Sequence, residues 1–250
     1  MESSYENAIS RFRTFLAEFV DPLGSMGGLL FLMGPDVHQR YRAVAKQIIG
    51  PKVLDVGSWG RSFFGLIWKD CVSLDARKRP GLDVIASATH LPFRSDSFDT
   101  VVCVDMIEHI PSERRRIALV EMKRVSARRA VVHAPVNDGN DFRARDYDLT
   151  FSNWHRKSLR TEHLSTAQHL DSVEPSPVEF ERADFRLKGT HNAELWLSCM
   201  ALSNRFRGPL GIIVSQSYYL LKRQKDGRPP FWGAVAVHDK RGPLRAIPKG

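Results

Sequence analysis

Residues 53–60, Val-Leu-Asp-Val-Gly-Ser-Trp-Gly, form a short apolar run that ends in a glycine turn. A second run, Val72–Asp75, ends on an acid twenty residues after Asp55. Short β-rich runs separated by helix-length segments indicate βαβ units and a parallel sheet. In a doubly wound sheet, these two run ends are neighbours at the carboxyl ends of adjacent strands, where ligands bind. The spacing therefore predicts a ligand-binding crevice at this point.

The same alternation continues along the chain and predicts a doubly wound Rossmann-like α/β sheet. The sheet is expected to be mostly parallel, with one antiparallel late strand, N-terminal helices and a helical insertion before that strand. The predicted strands are Val53–Gly57, Val72–Asp75, Val84–Ala86, Thr100–Met106, Ala130–His133, Val178–Leu187 and Phe231–Val237. The predicted helices are Tyr5–Phe19, Asp36–Ile49 with Asp36 as N-cap, Pro111–Val125, Asn192–Leu202 and Leu210–Leu221, and residues 136–160 are predicted to be polar and irregular.

The length and composition favour one globular domain over residues 1–250. With 42% hydrophobic and 26% charged residues, the chain can bury a core, which excludes disorder as its main state. We divide it into N-terminal helices (1–50), a cofactor-binding core (51–136), a variable acceptor side (137–230) and a last strand with a basic tail (231–250). The apolar stretches are too short to span a bilayer, and no signal peptide is visible. Three scattered cysteines fit a reducing, cytoplasmic setting.

The positive charge of the chain is concentrated near its C-terminus. Residues 201–250 hold ten Lys and Arg against two Asp and Glu, a net of +8, so that only +1 of the total +9 remains for residues 1–200. This asymmetry indicates local contact with an anionic partner or a solvated face, and no specific nucleic-acid binding is expected. Basic residues flank the apolar stretch 210–221, a pattern that suits peripheral contact with an anionic membrane. Core packing of that stretch on the sheet is the alternative.

The acid at the end of the second run predicts an adenosine-containing cofactor. Asp75 can accept both ribose hydroxyls, while the glycine turn lets the backbone approach a ligand. A dinucleotide would need glycines for its pyrophosphate, but the spacing is not G-x-G-x-x-G, and Trp59 is bulky. S-adenosylmethionine needs an acid for its amino group, which Asp55 could supply directly or through water.

Three further stretches, Ala86–Phe93, Asp96–Val102 and Ile107–Pro111, read ASATHLPF, DSFDTVV and IEHIP. With the glycine turn, their order resembles the class I S-adenosylmethionine-dependent methyltransferases, in the branch that acts on small molecules. The resemblance covers roughly residues 50–136, and Phe231–Val237 corresponds to the last antiparallel strand of that family.

The resemblance implies a set of cofactor-binding residues. It places Asp55, Gly57 and Ser58 at the methionine moiety, with Trp59 and Gly60 completing the turn. It places Asp75 at the ribose, Ala76 beside the adenine, and Ser87 and Ala88 at the adenine edge. The segment from Asp105 would pass under the cofactor. The chain departs from the family where Trp59 replaces the usual second glycine, with Gly60 one place later. It departs again at Ser87, where an acid is common. Either change could weaken cofactor binding.

Methyl transfer needs a base only if the acceptor is a hydroxyl or an ammonium. The candidate bases are His109 and His133, which follow the fourth and fifth predicted strands, and Glu108 could orient His109. The expected acceptor is a small molecule, with a glycan or lipid-linked intermediate as a first guess and oxygen as the acceptor atom by default. Candidate acceptor-pocket residues in the variable region are His155, Glu162 and His163. Each histidine also has a structural interpretation, as a packed or hydrogen-bonded residue.

Two other functions stay open at this level. A degenerate methyltransferase fold could act as a binding module, for which Trp59 and Ser87 are the warrants. The second alternative is a nicotinamide-dependent oxidoreductase. Residues Tyr218–Lys222 have the Tyr-x-x-x-Lys spacing of short-chain dehydrogenases, but this motif falls too late in the chain relative to the glycine turn. A zinc site is not expected, because the histidines lack paired spacing and cysteine support.

Overall fold

A computed structural model describes residues 34–159, 172–206 and 208–240 of the chain. Its centre is a seven-stranded sheet with the order β3-β2-β1-β4-β5-β7-β6. The strands are β1 (Lys52–Val56), β2 (Asp70–Asp75), β3 (Val84–Ile85), β4 (Phe98–Val104), β5 (Ser126–Pro135), β6 (Arg186–Asn192) and β7 (Phe231–Asp239). β7 pairs antiparallel with both β5 and β6, and the other pairs are parallel. This confirms the predicted fold class.

Six α-helices flank the strands among the described residues. They are α1 (Pro35–Ala45), α2 (Ser112–Val125), α3 (Ala144–Leu159), α4 (Pro177–Arg182), α5 (Ala193–Phe206) and α6 (Gly208–Lys222). Short 3-10 turns lie at Phe64–Leu66, Ile107–His109 and Arg223–Lys225. The predicted helix Tyr5–Phe19 lies outside the described residues, and the proposed division of the chain into regions stays a prediction.

The sheet is covered on both faces, which explains the near-continuous apolar runs of its central strands. Val53 packs with Val102 and Val131 on the side of α1, while Leu54 and Val101 pack on the side of α2. The outer surface of α2 exposes two aliphatic side chains, Ile117 and Val120. β4 ends at Val104 rather than at Met106 because Asp105 takes a positive φ of 50°.

Three sequence predictions were wrong. The predicted strand Val178–Leu187 is helix α4 followed by the start of β6: Pro177 begins the helix, and Ser176 and Glu179 form a capping box that favours it. Residues 144–159, predicted to be irregular, form α3. Asp36 is not the N-cap of α1, since Gly34 occupies that position and Asp36 lies in the first turn, where its side chain accepts hydrogen bonds from two other residues.

Candidate functional site

A pocket of about 190 Å³ opens at the carboxyl ends of the central strands. Its wall is formed by the glycine turn after β1, the end of β2, the loop after β3 and the loop after β4. The lining residues are Val56, Gly57, Leu74, Asp75, Ala76, Ala86, Ser87, Ala88, Thr89, Met106, His109, Ile110, Pro111 and Arg114. This is the crevice position at which open α/β sheets bind their ligands.

The turn after β1 depends on Gly57. Its φ is +82°, and a Cβ at this position would overlap the side chain of Met106. The N–H groups of Gly57 and Ser58 both donate to the carbonyl of Leu74, at 2.7 and 3.2 Å, which fixes the turn against the end of β2. Glycine is therefore required both by the left-handed backbone and by the close approach of the loop after β4.

Trp59 takes the left-handed conformation that a glycine would adopt, with φ of +58°. Its side chain is 63% exposed, and the guanidinium of Arg79 lies 3.7 Å from the ring centroid. The indole therefore lies outside the pocket wall, as does the neighbouring Gly60. Ser58 is also absent from the lining, and its hydroxyl donates to the carbonyl of Gly60 at 2.8 Å.

Asp75 lies in the pocket wall and is held rigidly by the backbone. One carboxylate oxygen accepts the N–H of Arg77 at 2.8 Å, and the other accepts the N–H of Trp59 at 3.2 Å. Each carboxylate oxygen can accept more than one hydrogen bond. Asp75 therefore links the turn after β1 to the turn after β2, and its oxygens can still accept hydrogen bonds from ligand hydroxyls.

The loop after β3 supplies the small-residue side of the pocket. Ala76, Ser87 and Ala88 all line it. The Ser87 hydroxyl is 2.8 Å from the hydroxyl of Thr89 and also accepts the N–H of Thr89, so it bonds within its own loop. With Leu74 and Ile110, these residues form a narrow, largely apolar slot next to the Asp75 carboxylate.

Asp55 lies beneath the turn rather than in the pocket wall. Its side chain is buried, and it accepts a hydrogen bond of 2.6 Å from the hydroxyl of Ser62. Burial raises the pKa of Asp55 to about 7, although the bond from Ser62 opposes that rise. The carboxyl of Asp55 therefore titrates near neutral pH, and its charge depends on the groups that lie above it at the glycine turn.

Asp105 belongs to a buried polar cluster at the end of β4 and β5. One of its oxygens is 2.8 Å from Nδ1 of His133, and the other accepts from Arg40 of α1. Arg40 also donates to the carboxylate of Asp36, whose second oxygen accepts Nε1–H of Trp196 at 2.8 Å. His133 has no exposed surface, so this candidate base lies behind Asp105 rather than in the pocket wall.

The cluster extends to residues that the sequence did not single out. Nε2 of His133 is 3.3 Å from the hydroxyl of Thr190, and its ring contacts those of His191 and Trp232 at centroid distances of 5.3 and 6.4 Å. Burial, followed by the neighbouring His133 and Arg40, holds the pKa of His191 well below its usual range. His191 has a positive φ of 58°. Three separated strands contribute these side chains, so no local pattern marks them.

Glu108 and His109 follow β4 but differ in environment. Glu108 is buried, and burial together with the charge of Asp105 raises its pKa well above the usual range. His109 is exposed to the pocket. Burial of its ring, aided by Arg77 and opposed by Asp105, lowers the pKa of His109. Of the two candidate bases, His109 is the one that can reach a pocket ligand.

The candidate acceptor residues lie apart from the pocket or outside the described residues. His155 is buried in α3, with its ring 5.7 Å from that of Phe151. Glu162 and His163 lie outside the described part of the chain.

The chemistry of the pocket fits an adenosyl group. The slot of alanine, leucine and isoleucine side chains suits a flat, apolar purine, and the adjoining Asp75 carboxylate suits the paired hydroxyls of a ribose. The sequence profile described as "Methyltransferase domain" matches residues 67–134, which span β2 to β5 and hence most of this wall. Residues 67–134 thus match a methyltransferase domain, and the chain is an S-adenosylmethionine-dependent methyltransferase. The match favours methyl transfer over the nicotinamide-dependent oxidoreductase.

Solved structures include similar methyltransferases at low identity. A methyltransferase from Thermotoga maritima is 15% identical, with a TM-score of 0.48, and the match covers 96% of this chain and 100% of that one. Another from Archaeoglobus fulgidus is 17% identical, with a TM-score of 0.45, and covers 80% of this chain and 91% of that one. No curated protein matches the sequence.

S-adenosylmethionine is the cofactor of this methyltransferase. Of the residues that the resemblance assigned to it, Gly57, Asp75, Ala76, Ser87 and Ala88 line the pocket. Asp55, Ser58, Trp59, Gly60 and Asp105 surround it without lining it. The individual contacts stay predictions. Among the described residues, there is no cluster of potential metal ligands, and no helix has the length and apolar character needed to cross a bilayer.

We expect Asp75→Ala to weaken binding of S-adenosylhomocysteine, the product form of the cofactor, by about tenfold to a hundredfold. This corresponds to loss of charge-assisted hydrogen bonds worth roughly 1.5–3 kcal/mol. Isothermal titration calorimetry measures the change. Asp70→Ala is the matched control, since Asp70 begins the same strand at the opposite edge of the sheet. An unchanged dissociation constant in folded Asp75→Ala protein would contradict a ribose contact at this residue.

Proposed function

We propose that this methyltransferase methylates a hydroxyl oxygen of a small-molecule acceptor, with His109 as the general base. The observation that carries the proposal is the position of the His109 imidazole in the pocket wall, beside Met106 and the glycine turn. Other ionisable side chains in the described wall are Asp75, which bonds to the backbone, and Arg114, which cannot accept a proton. His109 is therefore the wall residue suited to deprotonating an acceptor.

The lowered pKa of His109 suits this role. A lowered pKa favours the neutral imidazole, which is the form that can accept the hydroxyl proton. When bound, S-adenosylmethionine supplies a methyl group on a positively charged sulfur, which retains the electron pair of the broken carbon–sulfur bond. His109 would take the hydroxyl proton as the acceptor oxygen gains the methyl group. Orientation of the acceptor by the pocket then supplies much of the remaining rate acceleration.

The buried Asp105–His133 pair would orient the loop that carries His109. The N–H of Asp105 donates to the carbonyl of His133 at 3.0 Å, and the carboxylate of Asp105 contacts the ring of the same residue. Arg115 holds the other end of the loop, since its guanidinium donates to the carbonyls of Glu108 and Ile110 at 3.2 and 2.9 Å. We therefore assign His133 a positioning role rather than the role of a base.

We expect His109→Ala to lower kcat about a hundredfold for a hydroxyl acceptor, the low end of the usual effect of a general base. Methyl transfer from isotope-labelled cofactor to pools of hydroxyl-, amine- and thiol-bearing small molecules identifies the acceptor class. The activity of the wild type should fall as the pH drops through the pKa of His109, and this dependence should vanish in the variant. His90→Ala, which alters an exposed histidine of the loop after β3, is the control.

Two results would contradict the proposal. One is methylation of amines or thiols with no product from hydroxyl acceptors. The other is a His109→Ala variant that keeps both its kcat and its pH profile on a hydroxyl acceptor.

A further inference from the structure

The outer surface of α6 is apolar and exposed. Leu210, Ile213 and Leu221 are 55%, 59% and 80% exposed, and Phe206 at the end of α5 is also exposed. On a helix, residues 210, 213 and 221 are separated by three and eight positions, which brings them to one side. Exposed aliphatic residues grouped in this way mark a surface that contacts a partner.

The opposite side of α6 is used for packing and fixes the helix on α5. A Cβ on Gly211 would overlap the backbone carbonyl of Ser203, so the two helices cross in close contact at this glycine. Ser215, Gln216 and Tyr219 are buried on the same side, and Tyr219 donates to Asp226 at 3.3 Å. The exposed aliphatic side is therefore held outward by a well-packed inner side.

Cations border the apolar surface at both ends. At one end Arg205 is exposed, and at the other end four more cations are exposed, namely Lys222, Arg223, Lys225 and Arg228. The sequence contains no Asp or Glu from Leu195 to Lys225. The acids that flank this stretch in the sequence are Glu194, which is 3.8 Å from Lys225, and Asp226, which is engaged with Tyr219. A partner of this surface therefore has to be both apolar and anionic.

We propose that the α5–α6 hairpin docks the enzyme on the surface of an anionic lipid bilayer. A helix that buries an aliphatic side among the acyl chains, with Lys and Arg at the headgroups, is held by both hydrophobic and electrostatic attraction. Leu210, Ile213 and Leu221 enter the interface, while the flanking cations contact lipid phosphates and carboxylates. The α6 axis then lies in the plane of the membrane.

The hairpin is connected to the site of methyl transfer. α5 begins directly after β6, whose carboxyl end lies at the same edge of the sheet as the pocket. Asn192 caps α5 by accepting the N–H of Leu195 at 3.0 Å, and Trp196 of the first turn donates to Asp36, the partner of Arg40. Docking through this hairpin brings the acceptor side of the enzyme close to molecules that reside in the membrane interface.

Vesicle co-sedimentation of the full chain tests the proposal without any turnover, so its outcome is independent of the proposed oxygen acceptor. The vesicles contain phosphatidylcholine alone or with about one-third phosphatidylserine. We expect binding to the anionic vesicles that exceeds binding to neutral ones by at least about tenfold and that weakens as salt is added. Equal binding to both kinds of vesicle, or binding to neither, would overturn the proposal.

Two variants separate the apolar and the charged contributions. Replacing Leu210, Ile213 and Leu221 by Ser, or Lys222, Arg223 and Lys225 by Gln, should each reduce binding to anionic vesicles by at least about tenfold. The matched controls should bind like wild type. They are Ile117→Ser with Val120→Ser, which removes two exposed aliphatic residues from α2, and Arg94→Gln with Arg116→Gln and Lys157→Gln, which removes exposed cations elsewhere.

Circular dichroism and thermal melting establish that each variant is folded. Light scattering of wild type and of the Leu210, Ile213 and Leu221 variant identifies a competing occupant. If the wild type is a dimer that this variant converts to a monomer, and vesicles are not bound, the surface joins two copies of the chain and the proposal is wrong. Undiminished vesicle binding by either variant would also refute it.

Discussion

Replacing Arg40 by Met is expected to lower the free energy of unfolding by about 3 kcal/mol, the cost of breaking a largely buried ion pair by removing one partner. Arg40 donates to the carboxylates of both Asp36 and Asp105, and its guanidinium lies 5.7 Å from the centroid of the Trp232 ring. Its side chain is only 13% exposed. Its removal leaves two carboxylates without their counter-charge in a region with little access to water.

Urea unfolding at pH 7 measures this change. Arg116→Met, at an exposed position on α2, should change stability by less than about 0.5 kcal/mol. If Arg40→Met and Arg116→Met unfold at the same urea concentration, the cluster contributes nothing to stability.

A double-mutant cycle tests whether Arg40 acts through Asp105. Asp105→Asn alone leaves Arg40 paired with Asp36, while the double variant removes an opposite pair of charges together. We expect the double variant to be less destabilised than the sum of the two single variants, with a coupling of about 1–3 kcal/mol. Additive effects would show that the contact between these residues carries no energy.

The strands that build the pocket could be predicted because each carries its own signal. β1, β2, β4 and β5 are short apolar runs, and the turn after β1 has its glycine at the position that needs a positive φ. Asp75 lies in the pocket wall, and its closeness to the turn follows from the sequence because β1 and β2 are adjacent parallel strands joined by a short connection.

Helix α3 shows why other elements were missed. Its buried positions, Ala144, Asp148, Phe151 and His155, recur at intervals of four, three and four residues, which is a helical pattern. Two of the four are ionisable, so a search for apolar periodicity does not find them. Asp148 is accommodated because its carboxyl accepts Nε1–H of Trp232 at 3.0 Å, and burial raises its pKa to about 8.

The polar cluster around Asp105 could not be predicted for a related reason. Arg40 reaches a residue 65 positions away, and His133 contacts Thr190 at a separation of 57. Such pairs form only when the sheet is assembled, and nothing in the local sequence of α1 marks Arg40 as a buried residue. The sequence identified His133 from its place at the end of a strand, but only the structure shows that it is buried behind Asp105.

Asp55→Asn is expected to stabilise the protein by an amount that grows with pH. The pKa of Asp55 is raised to about 7 in the folded state from an ordinary value of 3.8, so between pH 4 and 7 the folded state holds a proton that the unfolded state has lost. Wild-type stability therefore falls as the pH rises, by about 1.4 kcal/mol per pH unit in that window, and levels off above the folded pKa. Asparagine keeps an oxygen for Ser62 and does not ionise.

Asp83→Asn provides a control of opposite sign. Asp83 also accepts from a serine, since the N–H and hydroxyl of Ser73 donate to it at 2.8 and 2.7 Å, and these bonds lower its pKa. Its charged form stabilises the fold above its unfolded pKa, so Asp83→Asn should lose stability at neutral pH and approach the wild type in acid. Urea unfolding of the three proteins from pH 4 to 8 separates the two trends. A constant difference between wild type and Asp55→Asn would show that Asp55 is ionised throughout.

The pH dependence of cofactor binding tests whether the same carboxyl holds the amino group of the cofactor. If that ammonium pairs with ionised Asp55, as the resemblance implies, binding favours the deprotonated carboxyl, and affinity for S-adenosylhomocysteine must rise as the pH increases toward 7. The Asp55→Asn variant would lose that rise while keeping the ribose contact of Asp75. If affinity is instead independent of pH and equal in both proteins, Asp55 serves the turn through Ser62, and the ammonium is bound by other groups at the mouth of the pocket.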